Sequence, residues 1–445
     1  MKLQIKVEEL EKLINENSDV QIELRYQYWK TDFLRFYKSQ VNYNITKTEI
    51  MLAGTVERNK KKYTFELSDP TLTKLKEAIS DAKKIIEHLP EDPDFSTFED
   101  NKDEFTYDNF NSSVEKTSLE QKVRIIKEIA ASAHKHGFSI YGTFITLCID
   151  TRIVNSNGIS KRFFQAPVMI DLKCVSSRNM ATVIDSYAGN DLSEFSTTDF
   201  IRHLEEKIAY ALLDIADISP GVYDAVLSPH AVSQFLQYFI ASAYASSLDR
   251  GVSFFEGKID KKIFPEILSI SSLPTHPKLI TVPYNSDGHI AQDLSIIHKG
   301  VFKEFIVDNY YAHKLKMKKN GAVGDEALVL HAGEDSMHTM MGDMESGLYI
   351  SNVHYMNFIN QKESSVTGLT RDGTFLVKNG KVKNIANNLR YTLKISDIFE
   401  HIEAVEKKQY CIPISSNYEN FSIASVLAPH IRTGMFKISS STGTI

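Results

Sequence analysis

The sequence predicts an α+β protein of two domains: antiparallel sheets with helices over residues 1–218, then a mainly antiparallel β sheet or barrel with helices over residues 219–445. Three observations carry that reading. At 445 residues and 50.5 kDa the chain exceeds the size at which a single core usually stops growing. In the first half, period-two apolar runs alternate with helical stripes. Beyond residue 265 the pattern becomes short β runs broken at Asp-Gly, Lys-Gly, Asn-Gly and Ser-Gly pairs.

Taken in order, Val7 to Ile14 fits a short helix, and Val20, Ile22, Leu24, Tyr26 and Tyr28 alternate as a half-buried strand. Ile50–Val56 and Tyr63–Leu67 flank Asn59 and three lysines, a hairpin with a solvated charged turn. Asp69-Pro70 opens a helix whose stripe runs from Leu75 to Leu89. Residues 91–117 are acidic and aperiodic and read as a long surface connection. Ser118 with Gln121 is a capping box before the stripe Val123, Ile126, Ala130, Ala133. Phe138–Val154 and Phe163–Val175 are strands around the turn Asn155-Ser156-Asn157-Gly158, and a helix follows at residues 198–215.

Ser219-Pro220-Gly221 breaks the chain and sets the expected domain boundary. Tyr223–Leu227 is a short strand, Ser228-Pro229 starts a helix over residues 230–248, and a further helix is expected near residues 308–318.

Composition narrows the function. A net charge of −6 with a pI near 6.2 supplies no general attraction to phosphate backbones, so direct nucleic-acid binding is not expected. Cys148, Cys174 and Cys411 form no C-x-x-C pair, which fits a reducing compartment. No run of eighteen apolar residues and no signal-like start occurs, so a cytoplasmic protein without membrane contact is expected.

No H-E-x-x-H, G-x-S-x-G, Walker or G-x-G-x-x-G spacing is found. His134 and His136 read as solvated histidines at a helix end, favoured there by the dipole. His331 and His338 bracket Glu334 and Asp335, the residue types of a metal site, but in a polar loop that reads as a solvent-exposed cluster. The run Lys314–Lys319 reads as a solvated helix face.

Five segments, in the same order along the chain, resemble the TldD/PmbA family: Asn155-Ser156-Asn157-Gly158; Ser219–Pro229; Asn285-Ser286-Asp287-Gly288; Val366-Thr367-Gly368; and Gly373–Gly380 followed by Lys381-Val382. The helix before Glu91-Asp92-Pro93 is similar as well. The resemblance implies two-domain subunits that dimerise around a proteolytic chamber, with zinc held in TldD-type chains by an H-E-x-x-x-H helix and a distant cysteine. Here Pro229, His230 and Gln234 fall on those helix positions, and the terminal segment from Phe421 has no cysteine. Proline cannot ligate, glutamine is a poor substitute for imidazole, and His230 cannot serve as the proton-accepting carboxylate. Cys411 lies before that terminal segment and is not expected to replace the missing ligand.

The expectation is therefore a TldE-like chain with no catalytic residues and no metal or other cofactor of its own. Zinc would come from a TldD-type partner in a heterodimer, and unfolded peptides would be the substrate. Asn155, Gly158, Asp287, Gly288, Thr367 and Gly368 are carried as family-motif turn residues without assigned substrate contacts. The alternatives are a homodimer that binds peptide or a small ligand without hydrolysis, and a gyrase-associated regulator, after the family's other label.

Overall fold

The molecule, a computed structural model, is described over residues 5–102, 106–284, 288–321, 324–414 and 424–441. The first half contains α1 (Val7–Glu16), β1 (Gln21–Tyr37), β2 (Gln40–Arg58), β3 (Lys61–Ser68) and α2 (Leu72–Ile86). There follow β4 (Thr106–Asn109), α3 (Ser112–Glu115), α4 (Leu119–Lys135), β5 (Phe138–Asn155), β6 (Ser160–Gln165), β7 (Val168–Ser176), β8 (Thr182–Gly189) and α5 (Thr197–Ala211).

These strands make one eight-stranded sheet ordered β3-β2-β1-β5, beyond which β5 divides its pairing. Its C-terminal half pairs β6, which carries β4 in parallel, and its N-terminal half pairs β7 and then β8. The expected single return strand is thus two, because Ala166-Pro167 separates them and proline cannot donate to a ladder. Two of the sheet's hairpin turns, Lys38-Ser39 and Asn59-Lys60, have positive φ at both residues, the geometry whose twist matches paired strands. Ile22, Leu24 and Tyr26 of β1 are fully buried in a core shared with Leu10, Leu75 and Ile79 of α1 and α2.

Two expectations are corrected here. Thr71, not Asp69, caps α2, accepting from Lys74 N at 3.2 Å, and Asp69 instead takes a positive φ. Residues 91–117 are not only a connection, since they contain β4 and α3; Phe110 stacks on Phe164 at 4.2 Å beside the parallel pairing with β6.

The second half contains β9 (Ile215–Ala216), β10 (Gly221–Leu227), α6 (Pro229–Ile240), α7 (Ala245–Asp249), β11 (Ile270–Ser272), β12 (Leu294–His298), β13 (Val301–Phe302), α8 (Asn309–Leu315), β14 (Leu328–Leu330) and α9 (Met337–Gly342). It continues with β15 (Ser346–Asn360), β16 (Ser365–Lys378), β17 (Lys381–Ala386), β18 (Leu389–Lys394), α10 (Ile395–Glu400), β19 (Ile402–Val405), β20 (Tyr410–Pro413), β21 (Ser425–Ala428) and β22 (Ile431–Ser441). Strands β15-β10-β22-β18-β16 form a ring that the β16–β15 pairing closes into a five-stranded barrel, so these strands leave no open edge. A third sheet runs β13-β12-β11-β14-β21-β20. Helix α6 buries Phe235, Leu236 and Phe239 against the barrel, with Phe235 5.5 Å from the Tyr391 ring. The expected helix over 230–248 is interrupted at Ala241–Tyr244, where the chain passes through a short 3₁₀ turn into α7.

The fold is α+β with antiparallel sheets and a C-terminal barrel. The two halves share contacts: one apolar cluster joins Leu34, Phe144 and Leu204 to Val226, Tyr349 and Phe375. A polar seam joins them elsewhere. Lys319 Nζ sits 2.7 Å from Glu99, His313 Nδ1 2.8 Å from the Asp94 carbonyl, and Asn309 donates to the Thr97 carbonyl at 2.7 Å. The lysine-rich run is therefore not simply a solvated face, because Lys314 and Lys319 grip acidic groups.

Candidate functional site

A cavity of about 560 Å³ lies where the first sheet, α5, the start of α6 and the third sheet meet. One wall is residues 185–190, the end of β8 and the residue after it, and among the described residues β8 pairs with β7 alone. Tyr410, Cys411 and Ile412 of β20, itself the last strand of its sheet, form another. Ser228, Pro229 and His230 enter at the head of α6.

Local chemistry fixes that helix start. The Ser228 hydroxyl accepts from Ala231 N at 3.4 Å and donates to the Ser351 carbonyl, and Pro229 sits at the first helical position, where its missing N–H costs nothing. His230 then points at β8, with Nε2 2.8 Å from the Ser186 hydroxyl. Burial pushes the His230 imidazole down to about 4, so it is neutral near pH 7.

A second imidazole lies across the cavity. His430 Nδ1 is 2.6 Å from Glu406 Oε2, and the same carboxylate oxygen accepts the His430 backbone N–H at 3.3 Å. Tyr410 donates to the other carboxylate oxygen at 3.4 Å, and the Tyr349 hydroxyl is 3.5 Å from His430 Nε2. Glu406 and His430 are each 6% exposed and Tyr349 1%. Burial opposes the Glu406 charge, but the His430 bonds outweigh it and hold the carboxyl below its usual range. Burial also lowers the His430 pKa, which leaves a neutral imidazole donating Nδ1–H to a carboxylate. Nε2 is then an acceptor and Tyr349 O–H its donor, in keeping with a tyrosine whose ionisation burial suppresses. The backbone of Glu406 is pinned by Gly333 N and by the bridge between Asp335 and Glu406, so the stretch around Glu334 serves the cavity wall.

The cavity can bind through neutral acceptors, hydroxyls and strand edges. It is poorly suited to zinc. At the head of α6 the donor set is a proline, a single imidazole already bonded to Ser186, and Gln234, which lies one turn on, half-buried and outside the lining. Among the described residues no three His, Cys, Asp or Glu side chains form a group able to hold a metal ion. Cys411 does line the cavity, which the sequence did not indicate, and burial pushes its thiol up to about 11, away from the thiolate a metal requires.

The other candidate positions lie elsewhere. Asn155 Oδ1 accepts from the backbone of Asn157 at 3.0 Å and Ile159 at 3.3 Å, Asn155 Nδ2 donates to the Glu99 carbonyl at 2.9 Å, and Gly158 has positive φ. Gly288 also has positive φ and lies against Ile153, next to His289, which pairs with Glu99, so Gly288 and the Asn155 turn both lie at the Glu99 seam. Asp287 lies outside the described residues. Thr367 and Gly368 are within barrel strand β16, not a turn, and Gly368 lets the Tyr391 ring cross. None of the described ones, Asn155, Gly158, Gly288, Thr367 and Gly368, lines the cavity. His134 is exposed, His136 caps α4, and His331 is 2.8 Å from Ser271 while His338 is at the cavity rim.

Comparison with known proteins decides the family. Residues 220–440 match the PmbA/TldA metallopeptidase C-terminal domain. A metalloprotease PmbA homolog of Haemophilus influenzae is 22% identical over 299 residues, 65% of this chain and 62% of that protein. The chain belongs to the TldD/PmbA family. Among solved structures, TldE of Thermococcus kodakarensis superposes with a TM-score of 0.86 over 97% of this chain and all of that one, at 16% identity. A Thermotoga maritima protein named as a candidate modulator of a DNA gyrase gives 0.84 over 97% of this chain and 99% of its own, at 17% identity. The TldD/PmbA fold thus extends across the whole described chain. No helix among the described residues is long and apolar enough to cross a membrane.

Proposed function

We propose that this chain is a TldE-like, non-catalytic subunit of a TldD/TldE-type metallopeptidase acting on unfolded peptides in the cytoplasm. The observation that carries the reading is the head of α6, where Pro229 and His230 line the cavity and Gln234, one turn on, is not among its lining residues. A zinc peptidase needs three ligands and a carboxylate to take a proton from bound water, and this donor set offers neither. Zinc and hydrolysis would then come from a TldD-type partner. The side of β8 that pairs no strand among the described residues, along the cavity, supports a role in holding an extended peptide by main-chain hydrogen bonds, which bind with little sequence selectivity.

The test is zinc stoichiometry and peptidase activity of the pure chain and of the chain co-expressed with a TldD-type protein. The expected result is substoichiometric zinc and no hydrolysis alone, with both appearing in the complex. Peptidase activity of the chain alone that survives removal of contaminating metal overturns the proposal.

A further inference from the structure

We propose that, within the peptide-holding role on which this rests, the cavity bounded by β8, α5 and β20 is a pocket selective for an arginine side chain of the bound peptide. Its volume of about 560 Å³ is ample for one long side chain, and an extended peptide along β8 would point alternate side chains to opposite faces, so a single arginine suffices.

The pocket is rich in acceptors and short of cations. Asp185, Glu206 and Glu406 all line it, and the lining cation that is not exposed, Lys207, is already engaged, 3.4 Å from Asp185 and donating to the Ile184 carbonyl at 2.9 Å. The buried Glu406 carboxylate meets neutral donors: His430 through Nδ1–H and the backbone N–H, and the Tyr410 hydroxyl. Glu206 accepts from the Tyr210 hydroxyl at 2.9 Å, with His338 Nε2 3.9 Å away. Among the described residues no lysine or arginine pairs with Glu206 or Glu406. A carboxylate withdrawn from water among neutral partners keeps its charge uncompensated, and a cation entering the cavity compensates it. The other basic groups at the cavity do not fill that place. Lys278 and Lys408 are exposed, where water and salt screen them, and Arg202 bonds Asp199 at 2.8 Å.

The walls favour a guanidinium over other side chains. Tyr187, Phe195, Tyr210 and Tyr410 line the cavity half-buried, so ring surface is left uncovered. Tyr410 already attracts one cation, the Lys408 ammonium 4.6 Å from its ring centroid. Guanidinium is planar, weakly hydrated and stacks on such rings, and it offers five donors and no acceptor. Acceptor capacity is waiting for it: Glu406 Oε1 takes the long 3.4 Å Tyr410 bond, and His430 Nε2 the 3.5 Å Tyr349 bond. A phenylalanine would cover the rings but leave the Glu406 charge without a counter-ion, and an acidic side chain would oppose it.

The experiment is titration calorimetry on the full chain alone, with end-blocked alanine peptides that differ at one central residue: arginine, its uncharged isostere citrulline, phenylalanine or glutamate. The arginine peptide should bind about tenfold tighter than the citrulline peptide, the gap expected of a desolvated cation over aromatic rings. Glu406→Gln keeps the side chain's shape and removes its charge, so the gap should shrink to about twofold. Glu206→Gln, on a half-buried position of α5, should narrow the gap in the same direction and stands in if Glu406→Gln does not fold. Equal binding of the arginine and citrulline peptides, tightest binding of the phenylalanine peptide, or a gap that both variants leave intact overturns the arginine pocket while peptide holding stands. No binding of any of the peptides overturns both.

Discussion

Glu99 and Lys319 are 220 residues apart in the chain, and the lysine ammonium lies 2.7 Å from the fully buried carboxylate. The same carboxylate oxygen is 2.6 Å from His289 Nδ1, and its partner oxygen accepts the backbone N–H groups of Asp100 and Asn101. Burial opposes the charge, yet these partners hold the Glu99 carboxyl far below its usual range. The acidic strap and the lysine-rich segment thus form one seam between the halves of the molecule.

Glu99→Ala leaves a buried histidine and a half-buried lysine facing an empty site, so the loss should reach about 3–5 kcal/mol. Lys319→Ala should cost less, since the lysine is 23% exposed and His289 still pairs the carboxylate. Denaturant titration of the two variants checks the order, and an equal or reversed ranking contradicts it.

A glycine in the barrel gives a sharper steric test. A Cβ on Gly368 would run into the Tyr391 ring and hydroxyl, although the Gly368 backbone is itself unstrained. Gly368→Ala should therefore destabilise by about 1–3 kcal/mol through overpacking. The Tyr391 hydroxyl is buried with no hydrogen bond among the described residues, so Tyr391→Phe should be nearly neutral alone and should recover part of the loss in the double variant. Thermal melts of the four proteins measure that coupling, and strict additivity contradicts it.

Within the cavity, Glu406→Ala strips His430 and Tyr410 of a shared acceptor while keeping the fold's apolar packing. The expected loss is about 2–4 kcal/mol, because a buried donor is left unpaired. His430→Phe with Glu406→Leu should lose less than the single Glu406 change, since both polar partners leave together. Chemical denaturation of single and double variants decides it.

Local order was legible wherever one element carried its own signal. The capping box at Ser118 and Gln121, Pro229 after Ser228, and the positive-φ turn at Asn59-Lys60 all stand where the pattern placed them. Strand β8 was not legible, because it lies at a sheet edge and ends in Ala188-Gly189-Asn190 without a clear alternation. The parallel pairing of β4 with β6 depends on contacts some 55 residues away, which no local window contains. The cavity was half legible: the head of α6 drew attention to Pro229 and His230, but Ser186, Tyr349, Glu406 and His430 are scattered across the chain and meet only through the sheets. The lysine run misled because its acidic partners lie in a segment with no periodicity to place them.

The neutral imidazole at the head of α6 makes stability depend on pH in a defined sense. His230 titrates at about 4 in the folded chain against an ordinary value of 6.5, because burial penalises its charged form. Between those values the unfolded chain takes up a proton that the folded chain refuses, so stability is fully present above pH 6.5 and falls as the pH drops toward 4. The contribution is on the order of 3 kcal/mol at most, and Ser186, which bonds Nε2, is only half-buried, so the realised loss should be smaller. His430 is shifted in the same direction by burial and adds to the slope. Replacing His230 by Asn removes one titrating group without removing His430, so melting temperatures of the variant should fall less steeply between pH 7 and pH 4.5 than those of the wild type. Parallel slopes for the two proteins would mean that His230 is solvated enough to protonate in place, and that the head of α6 is open to water.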